Sequence, residues 1–393
     1  MIDFELSPED KAHVAEAHDV AQKYFRPISR YYDENEHEDA WDLYNTMWDM
    51  KDRNLLVGMG PAGAMAVEEL CWGDAGLYAS CPGTGLGGAA VMAAGTKEQW
   101  GRFLSRFNEG KPKWGAMAMT EPGCGSDTAA IQATATRDGD YWVLNGEKVF
   151  VTMGHRALDL SEGIIVVWAT VDKSAGRAGM KSFVVEAGTP GMKVEKLEKK
   201  LGIKASDTAT VVFDNCRIPF ANILGKAEVK VKTEGFKGAM ATFDLSRPLV
   251  AAQALGVCRA TLDMLRDELD KQGIKIRYDV PRSKQTALER DFMEMEANYR
   301  AAHLLVIRAM WLLQNGMPNS LEASMCKAKA GRAGTLITQR AVELMGPLGY
   351  SRKYLFEKFM RDAKINDIFE GTGQINMLIV ARRVLDFGSS QLK

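Results

Sequence analysis

Hydrophobic positions follow two different spacings along the chain, one at both ends and another in the middle. In residues 1–113 and again in 227–393, apolar side chains recur every three to four positions, which is typical of amphipathic helices. The clearest helical stretches are 14–25, 40–50, 65–72, 96–108, 244–269, 283–314, 321–345 and 374–386. Between 114 and 226, apolar and polar residues alternate, which predicts strands. The pattern therefore predicts an α+β protein with helical domains at 1–113 and 227–393 and a β domain at 114–226.

Two turn signals lie within the predicted β domain. Asp138-Gly139 and Asn145-Gly146 each separate apolar stretches, so both are predicted to form turns between strands. The later segments GIIVVWATV, KSFVVEAG and TATVVFDNCRI are rich in β-branched residues and predict further strands.

Charge and cysteine content argue against several classes of function. The 393 residues carry 50 Lys+Arg and 51 Asp+Glu, so no long-range positive field favours nucleic acid. The six cysteines lie far apart, and no pair has the close spacing of a zinc or redox motif, so no metal site is predicted. They are typical of scattered thiols in a reducing compartment.

The amino-terminal stretch is typical of an amphipathic helix rather than a signal peptide. Ser7 is a candidate cap, Pro8 occupies the first turn, and Glu9 and Asp10 lie near the positive end of the helix. The apolar segment AAHLLVIRAMWLL is shorter than the ~20 residues that a membrane span needs. We therefore expect a cytoplasmic protein without a membrane span.

The stretch GTGLGG, at 83–88, matches the dinucleotide-binding pattern G-x-G-x-x-G. That pattern requires a preceding strand in a βαβ unit, whereas residues 77–82 lie between helical segments and end in Pro82. We therefore interpret the stretch as a flexible turn or a pocket wall, not as a nicotinamide site.

The stretch DIFEGTGQIN, at 367–376, fits two interpretations. In the first, Gly371 supplies a left-handed turn and Thr372 caps the next helix. In the second, the apolar neighbours Ile368 and Phe369 keep water from Glu370, raise its pKa from about 4.3 and make it a usable general base. These ten residues alone leave both interpretations open.

Two further segments carry groups suited to a flat, polar ligand. AMTEPGCGSD, at 118–127, combines the hydroxyls of Thr120 and Ser126 with two glycines that let backbone donors approach a ligand. In KVFVTMG, at 148–154, period-two alternation puts Phe150 and Thr152 on one face of a strand, which suits a heteroaromatic ring. An ordinary turn and an ordinary cross-strand pair fit these segments equally well.

Five segments, in the same order and at similar spacings, resemble the acyl-CoA dehydrogenase family: AMTEPGCGSD, NGEKVFVTMG, SDTATVVFDNCRIP, FDLSRPLVAAQALG and MRDAKINDIFEGTGQINMLIVAR. The resemblance covers nearly the whole chain. It implies an N-terminal helical domain, a central β-barrel domain and a C-terminal four-helix bundle. It also implies bound FAD and the oxidation of an acyl-CoA thioester to its 2,3-enoyl form.

The same resemblance implies roles for individual residues, with Glu370 as the base that takes the α-proton. The matching cofactor-binding positions are Met119, Thr120, Gly125, Ser126, Phe150, Thr152, Gln285, Thr372 and Gln374. The matching substrate-binding positions are Ser126, Ser206, Asp207, Asp244, Arg247 and Gly371. One branch of the family takes its base from the helix at 244–247. Ser246 stands at that position and cannot serve, so Asp244 is only a weak rival to Glu370.

The chain departs from the family pattern at two places, both implied to touch the cofactor across a subunit boundary. Relatives carry R-x-x-F-G before a glutamine. If that glutamine is Gln285, the arginine position is Ile274 and the phenylalanine position is Arg277, which leaves Arg277 or Arg282 as the candidate replacement. GPLGY, at 346–350, stands where relatives often have G-G-x-G-[FY], and Glu343 stands where glutamine is common.

The resemblance also carries expectations about the acyl group and the partners. Pro82, Gly83 and Thr84 match the floor of the acyl pocket, and their small size suggests room for a branched, cyclic or aromatic acyl group. An electron-transfer flavoprotein is the expected electron acceptor, and a homotetramer is the expected assembly. Two alternatives stay open: a non-catalytic, weakly flavin-binding subunit of a hetero-oligomer, and a flavin oxidase or monooxygenase with the same fold.

Overall fold

The structure is a computed structural model that describes residues 5–56, 60–229, 234–388 and 391, with only the backbone described at 234–239 and 241. The first part of the chain is helical, as predicted. Its helices are α1 (Pro8–Val20), α2 (Ser29–Glu34), α3 (Trp41–Asp49), α4 (Gly60–Ser80), α5 (Gly85–Ala94) and α6 (Lys97–Leu104). The predicted start of α1 is confirmed, because Pro8 is its first residue and the Ser7 hydroxyl accepts a hydrogen bond from the Asp10 amide at 3.1 Å.

The middle of the chain forms one curled seven-stranded sheet. Its elements are β1 (Gly115–Ala118), β2 (Thr134–Asp138), β3 (Tyr141–Thr152), α7 (Gly154–Leu158), β4 (Ile164–Thr170), β5 (Met180–Glu186), β6 (Met192–Leu197) and β7 (Thr208–Pro219). Strand β4 is buried along its whole length and pairs with antiparallel β5 on one side. On its other side, β4 pairs in parallel with both β1 and β2. From β2 the sheet continues through β3 and β7 to β6.

One of the two predicted turns is wrong. The hairpin between β2 and β3 turns at 139–140, as Asp138-Gly139 indicates, but Asn145-Gly146 lies inside β3. The pairing of β3 with β7 shifts register between Leu144 and Gly146, so the second signal marks a β-bulge. Gly146 has φ +143°, and a Cβ there meets the Ala133 side chain at 2.7 Å, so only glycine fits this approach of neighbouring strands.

The last part of the chain is helical again. Its helices are α8 (Glu234–Lys271), α9 (Ala287–Gln314), α10 (Ser320–Met345), α11 (Pro347–Tyr350), α12 (Phe356–Lys364) and α13 (Gly373–Val384). Helix α10 packs against α8, α9, α12 and α13, and α8 also packs against α4 of the first part. None of the helices in the described ranges is long and apolar enough to cross a membrane. The domain boundaries at 113/114 and 226/227 stay predictions.

The stretch GTGLGG does not form a flexible turn, because it leads directly into α5. A helix, α4, precedes it, so the strand that a dinucleotide site requires is absent from this described part of the chain. A Cβ at Gly85 lies 2.4 Å from the Gly115 carbonyl oxygen, and one at Gly87 lies 2.6 Å from that of Ala116. The glycines therefore let α5 pack directly on the backbone of β1.

A buried polar cluster joins the first and last parts of the chain. Asp74 has an extended backbone inside α4 and accepts a hydrogen bond from the Leu77 amide at 2.8 Å. Its carboxylate also accepts hydrogen bonds from Ser29 and, at 2.6 Å, from Lys358 of α12. Asp362, which pairs with the same lysine, accepts a hydrogen bond from the Ile203 amide at 2.6 Å. The cluster thus ties α2, α4, α12 and the segment before β7 together.

Candidate active site

Glu370 lies in a tight turn between α12 and α13. The backbone takes positive φ angles at two successive residues, +59° at Glu370 and +94° at Gly371. Thr372 then caps α13, with its hydroxyl accepting a hydrogen bond from the Ile375 amide at 3.2 Å. The turn-and-cap interpretation of this stretch is therefore confirmed. Glu370 itself pays a backbone strain of ~1–3 kcal/mol, which is unusual for a residue with no local role.

The two carboxylate oxygens of Glu370 have different surroundings. Oε2 accepts a hydrogen bond from the Ser246 hydroxyl of α8. Oε1 is buried, and no described residue donates a hydrogen bond to it. Burial raises the pKa of Glu370, although the Ser246 hydrogen bond and the charges of Arg247 and Lys327 oppose the shift. The Ser246 hydrogen bond therefore holds Oε2 in place, while Oε1 is available to accept a hydrogen bond or a proton.

One of the two residues predicted to bury this carboxylate does not do so. Ile368 is 50 % exposed, so the expectation that it shields Glu370 is wrong. Phe369 packs against the core formed by α4, α8, α9 and α10. The carboxylate points toward α8 and α10 instead, since the groups that act on it are Ser246, Arg247 and Lys327.

Helix α8 holds three of the matching positions next to this turn. The Arg247 Nε donates to the Glu370 carbonyl at 3.3 Å, and its guanidinium lies 3.5 Å from Asp244. Pro248 lacks the amide proton that pairs with the Asp244 carbonyl in a regular helix. The Asn319 side chain donates to that carbonyl instead, at 3.1 Å. The Asp244 carboxylate lies beside Arg247, its Oδ1 is buried without a hydrogen-bond donor among the described residues, and burial raises its pKa, so it remains the rival carboxylate to Glu370.

Sequence reasoning missed two buried residues that hold the turn. The Lys327 Nζ of α10 donates to the Gly371 carbonyl at 2.6 Å. Asn376, which is fully buried, donates to the same carbonyl at 2.8 Å and to the Thr372 carbonyl at 3.0 Å. A Cβ at Gly371 meets the Asn376 amide nitrogen at 3.2 Å. The sequence signal that could have identified Lys327 is its position as a lysine on the apolar face of a predicted helix.

The loop at 119–126 follows β1 and is anchored by a second buried ion pair. The Lys148 Nζ of β3 lies 2.7 Å from Glu121 and donates to the Met119 carbonyl at 3.0 Å. Glu121 also accepts hydrogen bonds from the amides of Gln132 and Ala133, at 2.6 and 3.0 Å. The anchored loop leaves Gly125 and Ser126 exposed and Thr120 half-buried.

Phe150 and Thr152 lie at the end of β3 beside this loop. The Val149 amide donates to the Thr120 carbonyl at 2.9 Å, which puts Thr120 next to Phe150. A bulge between Lys148 and Val151 gives Phe150 a φ of +57° and leaves it 64 % exposed. Val151, between Phe150 and Thr152, is buried on the other side. The strand therefore presents an aromatic ring and a hydroxyl outward.

The two candidate regions are connected through α8. Phe243 packs against the cluster of Met119, Cys124, Ile131, Trp168 and Met180 in the β domain. The Arg247 guanidinium lies over the Phe243 ring at 5.3 Å and also bonds the Glu370 carbonyl. Loop 119–126 and the Glu370 turn therefore flank the same short piece of α8.

These groups suit FAD, which the resemblance implies. The hydroxyls of Thr120, Ser126 and Thr152 make no hydrogen bond to another described residue. The Trp168 indole nitrogen is buried without a partner in the described part of the chain. An exposed aromatic ring beside free hydroxyl groups fits the flat flavin ring and its polar edge.

Ser206 and Asp207 are fully enclosed before β7 rather than open to a ligand. Asp207 accepts hydrogen bonds from Arg156 at 3.1 Å and from the His155 amide at 3.0 Å. Its carbonyl accepts the Met153 amide at 3.2 Å, directly after Thr152. Both residues therefore support the end of β3, and a substrate contact through their side chains requires this segment to rearrange.

In the segment 274–285, where the chain departs from the family pattern, side chains are bonded to other residues of the same chain. The Arg277 guanidinium binds Glu289 of α9 through two hydrogen bonds, at 2.6 and 2.8 Å. Arg277, a candidate replacement for the phosphate-binding arginine of relatives, is thus already paired within the chain. Arg282 is exposed and pairs with no described residue. Gln285 donates to the Val280 carbonyl at 3.3 Å, while Thr372 is half-buried and Gln374 is exposed at the start of α13.

Comparisons with known proteins identify the family. Three family models match the chain: acyl-CoA dehydrogenase N-terminal domain at 7–111, middle domain at 116–216 and C-terminal domain at 233–385. The short-chain specific acyl-CoA dehydrogenase of Clostridium acetobutylicum is 32 % identical over 394 residues, which cover 98 % of this chain and all of the relative. The acryloyl-CoA reductase (NADH) of Anaerotignum propionicum is 37 % identical over 298 residues, covering 75 % of this chain and 72 % of the relative.

The fold comparison agrees with the sequence comparison. The structure of butyryl-CoA dehydrogenase from Megasphaera elsdenii superimposes with a TM-score of 0.85, at 32 % identity, and covers 98 % of this chain and all of that chain. The order of a helical part, a curled sheet and a second helical part is the one described above. The chain therefore belongs to the acyl-CoA dehydrogenase family, the FAD-dependent oxidoreductases that act on CH–CH bonds.

Proposed function

We propose that this chain oxidises an acyl-CoA thioester to its 2,3-enoyl-CoA, with Glu370 as the base that takes the α-proton. The observation that carries the proposal is the state of the carboxylate. Ser246 holds Oε2, while Oε1 is buried and accepts no hydrogen bond from a described residue. Its raised pKa, caused by burial, makes the carboxylate a stronger base than an exposed glutamate.

The other site residues orient the reaction. When bound, FAD supplies the acceptor for the hydride that leaves the β-carbon. As the family resemblance implies, Phe150 would pack against the flavin, Thr120 and Thr152 would hydrogen-bond its polar edge, and Ser126 would lie near its phosphates. Arg247 and Lys327 fix the turn at 370–371 from two sides, so the free Oε1 keeps one position. A fixed base of this kind is typically worth ~100- to 10,000-fold in rate.

The substrate is proposed to be a short acyl-CoA. Relatives named as short-chain specific support this assignment. The segment 82–84 leaves space beside it, because a Cβ at Gly83 meets no other atom within 4 Å. We propose that this segment leaves room for a branch or ring on a short acyl chain. Rates of anaerobic flavin reduction with butyryl-CoA and with branched, cyclic and aromatic acyl-CoAs decide between them. Clear preference for straight short chains excludes the bulkier groups.

The central experiment replaces Glu370 by glutamine. Glu370→Gln should keep the yellow flavin and acyl-CoA binding, and lose flavin reduction by ~100- to 10,000-fold. Asp244→Asn is the comparison variant, since Asp244 is the rival carboxylate beside Arg247; if Glu370 is the base, Asp244→Asn keeps flavin reduction at saturating acyl-CoA. Full reduction in Glu370→Gln, or its loss in Asp244→Asn alone, moves the base away from Glu370.

A second candidate function is a weakly flavin-binding subunit of a hetero-oligomer. The observation that favours it is the Arg277–Glu289 pair, which occupies an arginine in the segment where relatives place a phosphate contact. The visible spectrum and the mass of the purified chain test it. A colourless protein that takes up no FAD supports the subunit. A yellow homotetramer that passes electrons to an electron-transfer flavoprotein supports the dehydrogenase.

A further inference from the structure

Lys327 is a charged residue buried at the centre of the candidate site. Its side chain lies on α10 and the residue is 1 % exposed. Its Nζ donates at 2.6 Å to the carbonyl of Gly371, the residue that follows the proposed base. Gly371 is held at φ +94°, and Asn376 donates to the same carbonyl. Lys327 therefore anchors the strained turn from α10, as Arg247 does from α8.

Few charged groups face the Lys327 ammonium. Among the described residues they are Glu370 and Asp367 from the turn segment and Arg247 from α8; Cys326, the neighbour on α10, is a buried thiol whose pKa is raised, so it carries no charge at neutral pH. Asp367 already lies 3.3 Å from Lys364, and Arg247 lies 3.5 Å from Asp244. The bond that Lys327 makes is to a neutral carbonyl, so its charge is not cancelled there. The carboxylate left without a paired cation of its own is Glu370.

The charge of Lys327 and the protonation of Glu370 are therefore linked. Burial lowers the pKa of Lys327 to about 8, while the charges of Glu370 and Asp367 oppose this shift. Burial raises the pKa of Glu370, and the positive charge of Lys327 is one of the effects that oppose it. Without the Lys327 charge, less opposes the effect of burial on the pKa of Glu370. That pKa therefore rises further, and the carboxyl keeps its proton to higher pH.

We infer that Lys327 is a positioning residue for the proposed reaction. It holds the Gly371 carbonyl, and thereby the turn, and its positive charge keeps Glu370 in the carboxylate form that accepts a proton. This inference rests on the proposed role of Glu370 as the base. It assigns to α10 a part in the chemistry that none of the five resembling segments contains.

Three variants separate charge from structure. Lys327→Met removes the charge and the hydrogen bond, Lys327→Arg keeps both, and Lys329→Met is the control two residues along α10. Lys329 is half-buried and donates to the Asn298 side chain at 2.6 Å, away from the turn. Anaerobic flavin reduction is measured across pH. We expect Lys327→Met to be slower by about tenfold at pH 7 and to recover at higher pH, because the carboxylate forms later. Lys327→Arg and Lys329→Met should keep the pH at which the rate rises.

A second measurement needs no turnover. The carboxylic acid band of Glu370 in infrared difference spectra, assigned by its loss in Glu370→Gln, is titrated in the protein without substrate. The band should persist to higher pH in Lys327→Met than in Lys329→Met. An unchanged midpoint, or a rate loss of equal size at every pH, overturns the inference and leaves Lys327 a structural residue. If Glu370→Gln still reduces flavin, the proposed base itself is wrong, and the infrared result stays a separate answer about Lys327.

Discussion

Two glutamates with buried carboxylate oxygens, each close to a buried lysine, have opposite surroundings. Glu121 receives three hydrogen bonds, from Lys148 at 2.7 Å and from two backbone amides. Glu370 receives one, on Oε2. Burial raises the pKa of both carboxyls, but at Glu121 the lysine and amide hydrogen bonds outweigh burial, so its pKa is lowered, whereas that of Glu370 is raised. Lys148 bonds its glutamate directly, whereas Lys327 bonds the Gly371 carbonyl, and this difference, together with the two amide donors, separates the structural carboxylate from the available one.

The largest loss of stability is expected at Glu121, the one of the two glutamates that receives more hydrogen bonds. Glu121→Gln leaves Lys148, which has no exposed surface, without its charge partner. Removing one member of a buried pair costs ~3–5 kcal/mol, so the urea midpoint of unfolding should fall sharply. Lys148→Met in the same chain removes the orphaned charge and should restore part of the loss. A single variant as stable as the double variant shows that the pair does not anchor the loop.

A smaller effect is expected from adding a methyl group to each loop. Gly371→Ala forces alanine into a left-handed backbone and against Asn376, at a cost of ~1–3 kcal/mol, and should slow flavin reduction by displacing Glu370. At Gly125 a Cβ meets nothing within 4 Å, so Gly125→Ala should change stability by less than ~0.5 kcal/mol. Thermal unfolding and single-turnover reduction measure both. Equal effects at the two positions contradict the difference drawn between the loops.

The smallest expected effect is that the contributions of Glu370 and Glu121 to folding stability change with pH in opposite directions. Because the pKa of Glu370 is raised in the folded chain, its contribution to stability is lost as pH rises from the ordinary glutamate range through the folded pKa. The pKa of Glu121 is lowered, so its contribution is lost as pH falls through the folded pKa. Each unit of difference corresponds to about 1.4 kcal/mol. Urea unfolding of wild type, Glu370→Gln and Glu121→Gln across pH should give difference curves of opposite slope.

The fold was largely predictable because the periodicity is strong and long. The stretches 244–269 and 321–345 became the interior of α8 and α10, and the Ser7 cap lies where its spacing places it. Asn145-Gly146 failed because the same dipeptide that favours a turn also permits a bulge. Only the pairing with β7, about 70 residues later in the chain, decides between the two outcomes.

The site was predictable only where local sequence carries it. Glu370, Gly371 and Thr372 are adjacent, so their turn follows from the sequence itself. Ser246 and Lys327 act on them from positions 124 and 44 residues away, and no local pattern reports such contacts. The same distance explains why the sequence predicts a contact from the adjacent Ile368, whereas the groups that act on the carboxylate come from α8 and α10.

The Asp74 cluster has a consequence for how the chain reaches its fold. Asp74 lies in the first helical part, yet its lysine partner is 284 residues further along. During synthesis the ribosome releases the amino-terminal helices long before Lys358 exists, so the Asp74 carboxylate must stay hydrated until α12 arrives. Closing so long a loop is slow, since the chain loses entropy before the contact stabilises anything. The amino-terminal third is therefore expected to wait, incompletely packed, for the last helices of the chain.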